Sequence, residues 1–409
     1  MDTSLRLALC AAFVLAACLL YAGGAGSDLL AVRLAGEAFA EGAPLYPGDV
    51  GAFTMLPPDG WAERAAAIGH EGATFPFLYP PLWAWAAGPL TTLPFETLRA
   101  AALPVNAALL AAAVALAARL AARRLSRTTF LALDLALLLP ISPVALALMQ
   151  GQAQMLVTVL VLLAFEREAR GHPALAGAAL ALAASIKLYP LFFALFWMLR
   201  GRRSAATAFL VVGAALAALS LAVAGWPAHR AFLDQITAIS SGVFVAGYCF
   251  TIDWLLGATV LADRLTFVPG LSPELGWFTA PKPAALAAVS SLAPVAAVLV
   301  LSRLPRDPLT LPVLAVVIGA LSPIAWSYHY LTALVFVPAL IDRLGARAAV
   351  PWLAVVLGPQ MLVVASSGLP AYWANAIGLL AMLTLAAALL RTMTRPGRAP
   401  VARGHPAPA

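Results

Sequence analysis

The sequence predicts an all-α polytopic membrane protein, on three observations. Hydrophobic residues occupy 63% of its 409 positions and charged residues only 11%, a composition that favours membrane spans over a large soluble core. Long apolar runs recur from Leu5 to Leu390, as a chain that crosses a bilayer many times requires. Strand-like alternation is rare, so we expect helices rather than a barrel to satisfy the backbone in lipid.

The apolar runs predict about 12 membrane crossings. The run 173–199 is too long for one span, and Pro190 disfavours helical geometry at Tyr189, so we expect two short helices that meet at residues 185–190. The run 75–94 is expected to be re-entrant or juxtamembrane. The remaining crossings are predicted at residues 5–22, 99–118, 128–149, 152–165, 204–225, 284–302, 308–322, 328–341, 350–366 and 372–391.

The distribution of basic residues orients these spans. If both termini are cytoplasmic, 18 of the 25 Lys and Arg residues lie in cytoplasmic loops or tails, as the positive-inside rule requires. We therefore expect an integral protein of the plasma (inner) membrane. Residues 1–394 are predicted to form one transmembrane domain, with larger outer loops at about 25–74 and 226–283. Residues 395–409, rich in Pro, Ala, Gly and Arg, are predicted to be a disordered cytoplasmic tail.

An amphipathic helix is predicted immediately after the first span, from Leu29 to Glu41. Apolar residues recur on it at helical spacing, and Arg33 and Glu37 form an i,i+4 pair on another face. Its charges argue against a span, so we expect it to lie along the outer membrane surface. Asp28 precedes it at the outer end of the first span. From local sequence, Asp28 is either a functional carboxylate or merely a helix cap or interfacial charge.

Polar clusters mark the outer ends of several other predicted helices. Gln150 to Gln154 lie between two apolar runs, Lys187 lies at the predicted helix break, and residues 322–330 separate two late spans. The predicted topology places all of them on the side of Asp28. This common location indicates a site more strongly than any single residue does. Each of these residues also has an ordinary explanation when it is considered by itself. Lys187 could snorkel from a helix end, His329 could be a structural hydrogen-bonding residue, and Trp326 could belong to an interfacial aromatic belt.

Taken in chain order, these motifs resemble glycosyltransferase family 87, and the resemblance extends from Asp28 to about Tyr330. Leu29 stands where that family often has an aromatic residue, Ala153 and Gln154 where it often has Asn, and Tyr328 where it often has His. The matching motifs are Asp28, Gly42-Ala43-Pro44-Leu45-Tyr46, Phe77-Leu78-Tyr79-Pro80-Pro81, Gly151-Gln152, Ala183-Ala184-Ser185-Ile186-Lys187-Leu188-Tyr189-Pro190 and Ser322-Pro323-Ile324-Ala325-Trp326-Ser327-Tyr328-His329.

The resemblance implies a GT-C-like helical bundle, similar to mannosyltransferases that use polyprenol-phosphate-mannose. The expected partners are a polyprenyl-phosphate sugar donor, a lipid or glycan acceptor and the bilayer. The transfer is expected to be inverting and to take place on the outer face. An apolar groove between helices would hold the polyprenyl chain.

The residue types fit this chemistry. Asp28 is the expected general base for the acceptor hydroxyl. Lys187, and His329 if protonated, would bind the departing phosphate, with Arg33 a weaker choice. Three residues, Gln152, Tyr79 and Trp326, would contact the sugar or shape the cavity.

Other functions were weighed on the same residues. No cofactor or metal is expected, because His70-Glu71 lacks further ligands at matching spacings, and the basic loops do not indicate nucleic-acid binding. Twelve crossings and broken helices also suit a transporter or lipid flippase. However, the sequence shows no repeat and its polar clusters lie at one face. A third alternative is a membrane scaffold without chemistry.

Overall fold

The computed structural model describes residues 2–47, 53–268, 277–365 and 371–394, and these are mostly helical. The predicted tail, 395–409, lies outside the described residues. The α-helices, numbered in chain order, are α1 (Asp2–Tyr21), α2 (Ser27–Glu41), α3 (Trp61–Ala67), α4 (Pro81–Ala86), α5 (Phe95–Ala121), α6 (Arg127–Leu138), α7 (Ser142–Gln150), α8 (Gln154–Ala169), α9 (Pro173–Ile186), α10 (Leu191–Leu199), α11 (Arg203–Ser241), α12 (Ile252–Thr259), α13 (Ala284–Leu301), α14 (Thr310–Leu321), α15 (Leu331–Leu334), α16 (Pro338–Leu344), α17 (Ala346–Ala365) and α18 (Ala371–Thr394).

Among the described residues, five helices are long and apolar enough to cross a membrane. They lie in α1, α5, α11, α13 and α18. A sixth crossing results if α6 and α7, which meet at an angle of 76°, form one bent span. This count supports a membrane protein but does not confirm the predicted number of about 12. Several other apolar helices, such as α10 with nine residues, are shorter than the roughly 20 residues that a straight span needs.

The predicted break in the run 173–199 is present. Helix α9 ends at Ile186, Lys187 is extended with φ −131° and ψ 140°, and Pro190 precedes the first residue of α10. The run 75–94 contains only α4, with six residues, and a 3-10 helix, Gly88–Thr92. Neither is long enough to cross a membrane.

Helix α2 matches the predicted amphipathic helix and begins two residues earlier, at Ser27. Gly42 ends it in the left-handed conformation at φ 69°, where a glycine has little strain. The predicted i,i+4 ion pair is present, with 3.0 Å between Arg33 Nε and Glu37 Oε1. The buried face of α2 includes Leu30 and Leu34, and the helix packs on α4 and on Gly88–Thr92.

A small antiparallel sheet in the second of the predicted outer loops, 226–283, corrects the all-α prediction. Its strands are β1 (Gly242–Val245), β2 (Thr266–Val268) and β3 (Trp277–Pro281), in the order β1-β3-β2. Strands of three to five residues are too short for a clear alternation of apolar and polar residues, so the sequence does not reveal them. The sheet packs on α11 and α12.

Candidate active site

The position of Asp28 is set by a tight turn between α1 and α2. The backbone N–H of Gly26 donates a hydrogen bond to the Met149 carbonyl oxygen at 2.9 Å. Gly24 is buried so closely that a Cβ atom there would lie 2.5 Å from the same oxygen. Arg99 donates from Nη1 to the carbonyl oxygens of Ala22, at 3.0 Å, and Gly24, at 2.7 Å. We call residues 22–26 the elbow.

The same contacts bring the end of α7 to Asp28. Gly151 ends α7 in the left-handed conformation at φ 67°, and a Cβ atom there would lie 2.9 Å from Leu29 Cβ. The close approach therefore depends on a glycine. The next residue, Gln152, is buried, and its N–H donates to the Ala147 carbonyl oxygen at 3.0 Å.

Three further segments complete the site. Lys187 lies at the α9–α10 break. Tyr79 precedes α4, and its carbonyl oxygen accepts a hydrogen bond from Tyr46 Oη at 2.8 Å. The third segment is the connection from α14 to α15, which contains the 3-10 helix Ser327–Tyr330. The Ser327 N–H donates to the Tyr248 carbonyl oxygen at 2.8 Å, which ties this connection to the segment between α11 and α12.

Gln152 lies at the centre of the polar contacts. Its Oε1 accepts hydrogen bonds from Tyr79 Oη and Lys187 Nζ, each at 3.3 Å. Its Nε2 donates to Tyr328 Oη at 2.8 Å. Asp28 lies near this amide and near the charge of Lys187, and both lower the pKa of its carboxyl group. The structure therefore brings the predicted residues Asp28, Tyr79, Gln152 and Lys187 into one network.

Lys187 joins this network to His329. The Nζ atom lies 3.3 Å from His329 Nε2 and 5.1 Å from the centre of the Tyr328 ring. Because an ammonium group only donates, His329 Nε2 is the acceptor. His329 Nδ1 then carries the proton and donates to the Trp326 carbonyl oxygen at 3.2 Å. Lys187 has no third acceptor among the described residues, so one N–H is available to a ligand.

Burial shifts the pKa values of the acidic and basic groups of this cluster in opposite directions. It raises the pKa of Asp28 to about 6, although the hydrogen bond from Gln152 and the charge of Lys187 oppose the shift. It lowers the pKa of Lys187, against the opposing charge of Asp28. It also lowers the pKa of His329 well below the usual value, and Lys187 adds to that shift. His329 is therefore neutral beside Lys187. It was expected to bind the phosphate only if protonated, so it does not supply a second positive charge.

Aromatic rings form one wall of the site. The Trp326 ring is stacked on those of Tyr328, at 6.2 Å between centroids, and His329, at 6.1 Å. Trp326 is partly exposed whereas Tyr328 is buried. Trp326 is thus a more exposed ring of this stack than Tyr328. In the sequence, Tyr328 stands out only as a departure from a family motif, because its partner Gln152 is 176 positions away.

Arg33 is not part of the cluster. It forms the ion pair with Glu37, and its Nη2 lies 3.5 Å from the Thr91 carbonyl oxygen. Asp28 and Arg33 are five residues apart on α2, so their side chains lie on different faces of the helix. The structure thus separates Arg33 from the other predicted site residues.

A mainly apolar groove of about 240 Å³ lies beside the cluster. Leu29 and Gly151, the neighbours of Asp28 and Gln152, line one part of it. The end of α1, the elbow, the end of α7 and the first turns of α5, including Arg99, line the rest. Its lining suits an apolar chain. Within the described ranges, no group of three or more His, Cys, Asp or Glu residues is arranged to hold a metal ion.

Comparison with known proteins identifies the family. The model of glycosyltransferase family 87 matches residues 77–325, more than half of the chain. The matched part contains Tyr79, Gln152 and Lys187, whereas Asp28 and His329 lie outside it. A comparison with curated proteins gave no match. The chain belongs to glycosyltransferase family 87, and its apolar helices mark it as a membrane glycosyltransferase.

Proposed function

We propose that the protein transfers a hexose, mannose in particular, from a polyprenyl-phosphate sugar to a hydroxyl group of a lipid or glycan acceptor. The observation that carries the proposal is the pairing of Asp28 and Lys187. These opposite charges are both partly exposed, and each opposes the effect of burial on the pKa of the other. The buried amide of Gln152 binds Lys187 Nζ at 3.3 Å. In one displacement reaction, a carboxylate so placed can accept the proton of the attacking hydroxyl, and the ammonium group can bind the leaving phosphate.

In the proposed reaction, the acceptor oxygen attacks the anomeric carbon of the donor. The bond from that carbon to the phosphate oxygen breaks, and its electron pair leaves with the phosphate. The proton of the acceptor hydroxyl passes to Asp28 as general base. A single displacement of this kind inverts the anomeric centre and needs no covalent sugar–enzyme bond. Asp28 is the one carboxylate in the network among the described residues, which supports this scheme over a two-carboxylate one.

Lys187 is the proposed ligand of the leaving phosphate. Its available N–H can form a charge-assisted hydrogen bond to a phosphate oxygen. An anion there favours the charged form of Lys187 and so opposes the effect of burial on its pKa. Neutral His329 holds Nζ in place by accepting a hydrogen bond. Trp326 and Tyr79 are the proposed contacts of the sugar.

The donor and acceptor classes rest on further arguments. Mannose and polyprenyl phosphate follow from the resemblance to polyprenol-phosphate-mannose-dependent enzymes. The groove between α1, α5 and the end of α7 supports an apolar chain next to Asp28, since such pockets are lined mainly by hydrophobic side chains. Family membership favours this function over the transporter alternative.

The proposed location is the outer face of the plasma (inner) membrane, with both termini cytoplasmic and residues 1–394 as one domain. The distribution of basic residues supports this orientation. Twelve crossings would require the short helices α9 and α10 to cross within protein rather than against lipid, since broken helices are tolerated only where protein or a cavity surrounds them.

The Asp28→Asn variant tests the function. The amide keeps the size of the side chain but cannot accept the proton, so we expect transfer to fall about a hundredfold or more. Expression and donor binding should persist, because Asp28 is partly exposed and the substitution keeps its size. The measurement is transfer of labelled mannose from polyprenyl phosphate in membranes with matched protein levels.

Glu37→Gln is the matched control for that experiment. Glu37 lies on the same helix and pairs with Arg33, away from the cluster. Its loss should leave transfer within a few-fold of the parent, because partly exposed i,i+4 pairs contribute little. Near-normal transfer by Asp28→Asn would exclude Asp28 as the base. Equal losses in both variants would indicate damage to α2 rather than to the chemistry.

A further inference from the structure

The aromatic ring of Tyr328 lies beside the ammonium group of Lys187. Lys187 Nζ is 5.1 Å from the centre of that ring, within the distance at which a cation is attracted to the negative face of an aromatic ring. The two hydrogen-bond acceptors of Nζ, Gln152 Oε1 and His329 Nε2, are both uncharged groups. The ring face is therefore a third group that favours a positive charge at this place.

The Tyr328 ring is itself held by three contacts. The side chain is buried, and its hydroxyl oxygen accepts a hydrogen bond from Gln152 Nε2 at 2.8 Å. The ring is stacked on Trp326, with 12° between the ring planes, and on His329, with 5.0 Å between centroids. It cannot turn its face away from Lys187 without disturbing these contacts.

A tyrosine suits this position because it carries no charge of its own. Tyr328 stands where the family often has His. A phenol ring is neutral at physiological pH and keeps a negative face. An imidazole can take up a proton in that range, and it would then repel Lys187.

We infer that Tyr328 is a positioning residue, whose ring face holds the ammonium group of Lys187 in place for a lipid phosphate. The inference rests on the proposed function, in which Lys187 binds the leaving phosphate. Tyr328 acts through Lys187 and needs no contact of its own with the donor. Its contribution to binding should therefore disappear when Lys187 is absent, whereas that of a purely structural ring would remain.

The test is a double-mutant cycle on the binding of polyprenyl phosphate, the lipid that remains after transfer. Its dissociation constant is measured with radiolabelled lipid and the purified full-length protein in detergent, so the readout does not require activity. Tyr328→Leu removes the ring face, and we expect binding to weaken about tenfold. In the Lys187→Ala background the same substitution should change binding by less than about twofold, because its partner is already absent.

Two variants of similar size separate the ring face from the hydroxyl group, and they replace Tyr328→Leu if that variant does not fold. Tyr328→Phe keeps the ring but loses the hydrogen bond from Gln152, so binding should stay within about threefold of the parent. In Tyr328→trifluorophenylalanine, fluorine withdraws electron density from the ring face and weakens its attraction for a cation. Binding should then fall about fivefold below that of Tyr328→Phe, and only in protein that contains Lys187.

Tyr330→Leu is the matched control. Tyr330 lies in the same 3-10 helix and is buried. Its hydroxyl group donates to the Phe250 carbonyl oxygen, and its ring lies 6.3 Å from that of Phe250. We expect Tyr330→Leu to lower thermal stability and to affect binding equally with and without Lys187.

The outcomes separate the inference from the function. If the parent protein does not bind polyprenyl phosphate, the proposed donor is wrong, and the inference falls with it. An unchanged dissociation constant in Lys187→Ala would likewise remove Lys187 as the phosphate ligand. If Lys187→Ala weakens binding, that ligand stands, and equal effects of Tyr328→Leu in both backgrounds would overturn the inference alone.

The variants of similar size give a second decision. A loss in Tyr328→Phe as large as that in Tyr328→Leu would overturn the inference, because the hydroxyl group would then be responsible. Equal binding by Tyr328→Phe and Tyr328→trifluorophenylalanine would also overturn it, since the charge distribution of the ring face would then have no effect.

Discussion

At the scale of single residues, Lys187 shows how burial and charge are balanced in this site. Burial lowers the pKa of Lys187, yet the extended backbone at the helix break directs Nζ to Gln152 Oε1 and His329 Nε2. A lysine that merely snorkelled would extend toward water instead. Here the ammonium group is fixed by two acceptors and keeps one donor for a phosphate.

The Lys187 variants should differ in how much activity they keep. Lys187→Ala removes the only side-chain cation of the network among the described residues, and we expect transfer to fall about a hundredfold or more, as when an oxyanion donor is lost. Lys187→Arg keeps the charge but not the shape, so it should retain part of the activity. The measurement is donor KM and kcat in membranes.

Arg64→Gln serves as the control for loss of a positive charge on the same side. Arg64 is exposed and forms a two-pronged ion pair with Glu41, far along α2 from the cluster. Unchanged donor kinetics in Lys187→Ala would show that Lys187 has no part in donor binding.

Several properties of these residues were predictable and others were not. Pro190 is enough to predict the helix break at Lys187, because a proline disfavours helical geometry at the residue before it, here Tyr189. The neutral state of His329 was not predictable, because its lowered pKa depends first on burial and then on Lys187, 142 positions away. The same holds for the amide of Gln152. The pairing of Arg33 with Glu37 rather than with the network depends on which face of α2 it occupies, and its role as the weaker phosphate ligand stays a prediction.

At the scale of elements, the elbow is the device that joins two parts of the site. Two close approaches, of Gly26 to the Met149 carbonyl oxygen and of Gly151 to the Leu29 side chain, bring the neighbours of Asp28 and Gln152 together. Glycine-rich turns of this kind are visible in the sequence, but their partners are not. The short strands β1 to β3 were missed for the related reason that their pairing is made through tertiary contacts.

A pair of glycine variants tests the elbow. In Gly24→Ala the new Cβ would lie 2.5 Å from the Met149 carbonyl oxygen, so the elbow must shift, at a cost of about 1–3 kcal/mol in stability. We expect transfer to fall about tenfold to a hundredfold, because small misplacements of a catalytic group are costly. Transfer and thermal stability in detergent are the measurements.

Gly23→Ala is the control, one residue earlier in the same turn. Gly23 is exposed, and an added Cβ would meet nothing within 4 Å. This variant should behave like the parent. Equal loss in both variants would mean that the turn needs glycine flexibility in general, and normal transfer in Gly24→Ala would remove the close approach to Met149 from the argument.

At the scale of the whole molecule, the site is assembled from segments spread over 300 positions. Residues 28, 79, 152, 187 and 326–329 each lie at an end or break of a helix, and the structure brings all of them together. Their location on one side of the membrane was predictable from the topology alone, because every second connection in a polytopic chain lies on the same side. The atoms that touch were not, since packing of helices decides them.

The predicted orientation gives the last test. If both termini are cytoplasmic, α3 and the network containing Asp28 face outward, while the α8–α9 connection faces the cytoplasm. Single cysteines at Ala66 and His172, both exposed in the structure, can be introduced after Cys10, Cys18 and Cys249 are replaced by alanine. An impermeant maleimide applied to intact cells should label the Ala66→Cys variant, and the His172→Cys variant only after the membrane is opened.

Labelling of the two variants in the opposite order would show that the orientation is the reverse, with Asp28 and Lys187 on the cytoplasmic side. The donor would then have to be supplied on the cytoplasmic face, and the outward-facing reaction would be wrong even if the chemistry of the site were correct.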